Sequence, residues 1–134
     1  MALQTNASGK SVVSTTQIDN QIRYETQKLN DYKNKKANYS TALNYTKKML
    51  TGLNESLKYV NTASDNLKRT FTISGKTADA GSVEKVRDEV QAMIKETNSI
   101  ISDMNQAIKE LTNSINYTQN EINKLKRKRA AMLQ

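Results

Sequence analysis

The sequence predicts an all-α fold: an antiparallel two-helix hairpin with coiled-coil packing. Three observations predict it. Two long stretches carry apolar residues at alternating spacings of three and four. A short break bounded by glycines separates them. No proline occurs in 134 residues, although a globular domain of this length ordinarily places several in its turns.

Residues 1–14 show no helical period and read as a flexible N-terminal tail. Helix 1 is predicted over 15–73. One of its seam positions reads Ile22, Leu29, Lys36, Leu43, Leu50, Leu57, Ser64 and Phe71. The other reads Ile18, Glu25, Tyr32, Tyr39, Thr46, Leu53, Val60 and Leu67. Twelve of these sixteen residues are apolar or tyrosine. A pattern held that long specifies a coiled-coil helix of about 80 Å at about 1.5 Å per residue.

The period stops after Ile73, and 74–82 is predicted to be the turn. Gly75 suits a helix C-cap with positive φ, and Ser82 suits an N-cap. Helix 2 is predicted over 83–132. Its seam reads Arg87, Ile94, Ile101, Ile108, Ile115, Ile122 and Arg129, alternating with Val83, Val90, Thr97, Met104, Leu111, Thr118, Leu125 and Met132. Eleven of these fifteen are apolar. Two helices of similar length joined by a short turn bury their stripes most simply by folding back on each other.

A hairpin closes one seam only, and this sequence has apolar residues to spare. Helix 2 carries Val86, Met93, Ile100 and Ala107 seven apart beside its seam, the wide stripe typical of bundles. Helix 1 carries Tyr24, Tyr45 and Tyr59 in one further column, with Gly52 in the same column to admit a close backbone. These seven side chains are the expected partner-binding residues. The hairpin is therefore expected to complete a helical bundle with another chain.

Composition narrows the chemistry. Histidine, cysteine and tryptophan are absent. That excludes disulfides, nucleophilic triads built on His or Cys, and His- or Cys-liganded metal sites. Gly75-Lys76-Thr77 resembles the end of a Walker loop, but Thr70 stands where that loop needs its first glycine. No enzyme, cofactor, metal or small-molecule ligand is expected. No apolar run is long enough to span a membrane, and Met1 to Ser14 lacks the apolar core of a signal peptide. The expected location is the cytoplasm, with any export following another route, such as passage with a partner.

The formal net charge is +8, which admits nucleic acid, an acidic membrane face or an acidic protein as partner. The cluster Lys124, Lys126, Arg127, Lys128 and Arg129 also complements a helix C-terminus. No aromatic residue interleaves with it, so base stacking has no platform there.

The turn Leu67-Lys68-Arg69-Thr70-Phe71-Thr72-Ile73-Ser74-Gly75-Lys76-Thr77-Ala78-Asp79, set between two long heptad helices, resembles the YwqH-like small helical proteins of Gram-positive bacteria. More broadly the chain resembles the WXG-like hairpins of type VII secretion, over about residues 15–130. Ile73-Ser74-Gly75, following Phe71, occupies the slot of the Trp-x-Gly turn, which is missing here.

The resemblance implies an accessory or chaperone protein that binds the helical LXG domain of a toxin, alone or with a second small helical protein, and helps target it to the secretion machinery. It also implies an export signal of the form Tyr-x-x-x-Asp/Glu. Tyr117 and Glu121 have that spacing, though inside helix 2 rather than after it. Two other readings are compatible with the residues: a self-associating structural coiled coil, and a basic helical protein that binds nucleic acid.

Overall fold

The computed structural model describes residues 3–5, 11–73 and 81–134. Helix α1 spans Thr16–Ile73 and helix α2 spans Gly81–Met132. They pack against each other as a hairpin, so the fold is the predicted one. The expected turn, including Gly75, lies largely outside the described residues. Phe71 and Ile73 fall in the last turn of α1. Helix α2 starts at Gly81 and Ser82 falls in its first turn.

The tail differs from expectation. Strand β1, Leu3–Thr5, pairs antiparallel with strand β2, Ser11–Val13, with Leu3 opposite Val13. Val12 and Val13 are β-branched and suit an extended backbone. A pair of three-residue strands is marginal in water, and the two helices still set the fold class.

The entry to α1 is capped by hydroxyls. Ser14 Oγ accepts the Thr16 backbone N–H at 3.3 Å, and the Asp19 N–H reaches the Thr15 carbonyl at 2.8 Å. The Ser14-Thr15-Thr16 run supplies donors and acceptors where a helix start leaves backbone groups unpaired.

The chain forms two compact units, one of Met1–Tyr39 with Ala107–Gln134 and one of Ser40–Gln106. In the first, Ile18, Leu29 and Ile122 are buried with Thr118. Arg129 Nε donates to Asp19 Oδ1 at 2.6 Å, and Thr15 Oγ1 donates to Asp19 Oδ2 at 3.0 Å. In the second, Leu43 is buried with Ser64 and Thr97. There Thr46 Oγ1 lies 3.8 Å from Met104 Sδ, and Lys68 Nζ pairs with Glu84 at 3.6 Å. Rising numbers on α1 meet falling numbers on α2, which is the antiparallel arrangement.

The heptad reading holds in detail. Every described seam position of α2 is buried or half-buried. On α1 only Tyr39 and Leu67 are exposed among the described seam positions. Tyr39 lines a shallow groove with Lys35, Ala107, Glu110, Leu111 and Ser114. Two of the small polar seam residues are bonded to their own helix. Thr46 donates to the Ala42 carbonyl at 2.8 Å and Thr97 to the Met93 carbonyl at 2.7 Å.

Ser64 differs. It is 2% exposed, and its Oγ has no hydrogen-bond partner. A buried unpaired hydroxyl costs about 1–3 kcal/mol, and alanine fits wherever serine does. Ser64→Ala is therefore expected to stabilise the hairpin by about 1 kcal/mol, seen as a higher urea midpoint. An unchanged or lower midpoint would show that the hydroxyl is satisfied in solution.

The Asp19–Arg129 pair makes a second prediction. The hydrogen bond from Arg129 holds the Asp19 carboxyl below the ordinary aspartate range; partial burial opposes this, and the Thr15 bond and the charges of Arg129 and Arg23 add to it. A carboxyl with a lowered folded pKa stabilises the fold above its ordinary value and loses that contribution as pH falls through the lowered one. Asp19→Asn is expected to melt below the wild type at neutral pH, with the gap narrowing by about pH 2. A gap that persists in acid would show that the pair acts through packing rather than charge.

Candidate protein-binding face

In the unit Ser40–Gln106, the pair Lys68–Glu84 defines one side of the hairpin. Each of these residues follows a seam position by one, and they meet across the seam at 3.6 Å. The equivalent columns on that side are Lys47, Asn54 and Asn61 on α1, and Gln91, Asn98 and Asn105 on α2. All are polar, as a solvent-facing side requires.

The other side is different. In an antiparallel pair, the columns that precede the alternate seam positions face each other there. On α2 this column holds Val86, Met93 and Ile100, which are 47%, 51% and 44% exposed. On α1 it holds Met49, 61% exposed, with Ser56 and Ala63. Tyr45 and Tyr59 stand in the next column outward, both well exposed. Gly52 lies between them, and a Cβ built on it would meet nothing within 4 Å. The space above Gly52 is therefore open among the described residues.

Three of the four expected α2 residues thus present open apolar surface. The fourth, Ala107, is half-buried and belongs to the other unit, beside Tyr39. Tyr24 also lies in that other unit, exposed, with Lys28 Nζ 5.6 Å from its ring centre. Tyr45 has Lys48 Nζ at 5.8 Å in the same way. In that unit the columns equivalent to the apolar ones read Gln21, Lys28 and Lys35 on α1, and Ala107, Ser114, Glu121 and Lys128 on α2. The exposed apolar members of these columns, Met49, Val86, Met93 and Ile100, all lie in Ser40–Gln106.

Met49 was not among the sequence-predicted residues. Its column otherwise holds small residues (Ala42, Ser56, Ala63), so no apolar repeat marks it. Its exposure beside Ile100's column identifies it. Tyr117 is exposed, while Glu121 is half-buried and pairs with Lys124 at 3.3 Å. The i, i+4 spacing puts Tyr117 and Glu121 on one side of α2. Of the basic cluster, Lys124 and Arg129 are engaged by Glu121 and Asp19, leaving Lys126, Arg127 and Lys128 exposed.

The grooves along the hairpin are shallow and open. Among the described residues no group of acidic side chains could hold a metal ion, and no helix is long and apolar enough to cross a membrane. What this surface offers chemically is an apolar stripe for another apolar surface. In comparisons with known proteins, the chain matches no family model, no curated protein and no solved structure.

Proposed function

We propose that this chain is a non-enzymatic accessory protein of type VII secretion. It binds the helical LXG domain of a toxin, stabilises that domain and helps deliver it to the secretion machine. The observation that carries this reading is the exposed stripe of Met49, Val86, Met93 and Ile100 flanked by Tyr45 and Tyr59. Long apolar side chains left open at heptad spacing on one side of a hairpin, with the opposite side wholly polar, suit a helix from another protein. The resemblance of the turn sequence to YwqH-like and WXG-like proteins supplies the class of partner, and a second small helical protein fits beside it.

Co-expression with an LXG domain tests the reading. The two are expected to co-purify, and the hairpin's melting temperature is expected to rise sharply in the complex, because a partner that binds only the folded state stabilises it. A sharp, high melt for the hairpin alone, with no co-purification, would favour a self-associated structural coiled coil instead.

A further inference from the structure

The stripe has two unlike edges. On the α1 side the bordering column reads Tyr45, Gly52 and Tyr59, without charge. On the α2 side, the column next to Val86, Met93 and Ile100 reads Glu89, Glu96 and Asp103. These three carboxylates are exposed and seven residues apart. Among the described residues, none is within ion-pair distance of a cation. They form an acidic row along the apolar stripe of a chain whose net charge is +8.

We infer that this face takes one amphipathic helix from another protein, with its apolar stripe seated on Met49, Met93 and Ile100 and lysines or arginines along the edge that meets Glu89, Glu96 and Asp103. The inference rests on the partner reading above and specifies which face is used and the charge of its occupant. From Val86 to Ile100 the stripe runs about 21 Å along α2 at about 1.5 Å per residue, so the matching contacts span about two heptads. A second copy of this chain fits poorly. Through this same face it would set the acidic row against another acidic row, or against the column of Tyr45, Gly52 and Tyr59, where Lys48 beside Tyr45 is one cation for three carboxylates. Charge at the edge of an interface selects partner and register more than it adds affinity.

The local row and the whole-chain charge make opposite predictions, which gives a clean test. Two labelled synthetic helices of about three heptads, identical in their leucine seam but carrying either lysine or glutamate on the flanking positions, are titrated against the full chain by fluorescence anisotropy. The net charge of +8 would favour the glutamate peptide. The acidic row favours the lysine peptide, by about tenfold for three exposed pairs.

The triple variant Glu89→Lys, Glu96→Lys, Asp103→Lys leaves the seam untouched. It is expected to keep its circular dichroism and to reverse the preference, and Met93→Asp is expected to weaken both peptides. Equal binding of the two peptides overturns the inference, as does a preference that survives the reversal. A wild-type dimer in sedimentation that Met93→Asp dissolves also overturns it, since the occupant would then be a second copy. The toxin reading fails separately. An LXG domain that co-purifies equally well with the triple variant keeps that reading and removes this face. A chain that discriminates the peptides but never co-purifies with the domain keeps the face and removes the toxin.

Discussion

Ile122→Ala is expected to cost about 2–5 kcal/mol of stability. Ile122 is only 3% exposed, the least exposed of the four buried apolar side chains among the described residues, the others being Ile18, Leu29 and Leu43. A two-helix seam has no second layer to close over a cavity. The loss therefore combines the transfer term with a cavity that relaxes only partly. Small domains are stable by about 5–15 kcal/mol, so this one change removes a large share. Urea unfolding followed by circular dichroism measures it. A loss below about 1 kcal/mol would mean that the helices re-register or that another chain fills the gap.

Ile100→Asp is expected to weaken binding of an LXG domain by at least about a hundredfold, or about 3 kcal/mol, while leaving the isolated hairpin folded. Ile100 is 44% exposed and lies outside the seam, so the free chain solvates the new carboxylate at little cost. In a complex the same carboxylate is desolvated against apolar side chains without a partner, which costs several kcal/mol. The contrast between folding and binding is the signature. Lys126→Ala, at an exposed position in the other unit, is expected to change neither. Retained binding by Ile100→Asp in a pull-down, with helix content intact, would remove this face from the interface.

Much of the fold was legible from residue spacing. Heptad spacing placed Ile22, Leu29 and Leu43 on one line and Ile94 through Ile122 on another, because 3.6 residues per turn returns every seventh side chain to nearly the same direction. The same rule put Thr97, Thr118 and Ser64 in the seam despite their polarity, and all three are buried. The ladder of Leu3–Thr5 with Ser11–Val13 escaped, since three-residue strands leave no usable period. The cap formed by Ser14 and Thr15 was present as letters, but it acquires meaning only once Thr16 is known to start the helix.

The candidate face was half legible. Val86, Met93 and Ile100 announce themselves as a third apolar column. Met49 and the row of Glu89, Glu96 and Asp103 do not. Each becomes significant only through its neighbour, Met49 beside the α2 stripe and the acids along its edge.

By itself, the sequence determined the antiparallel hairpin, the course of both helices and which residues enter the seam, because these follow from periodicity within each helix and the short break between them. Only the tertiary structure decided the rest. The antiparallel pairing shown by Thr46 with Met104 and Lys68 with Glu84 puts the polar columns of the two helices on one side of the seam and their apolar columns on the other. It also settles that Ala107 is half-buried near Tyr39 while Ile100 stays open. Which residues become neighbours depends on the register of two chain segments far apart in sequence, and no spacing within either helix encodes that.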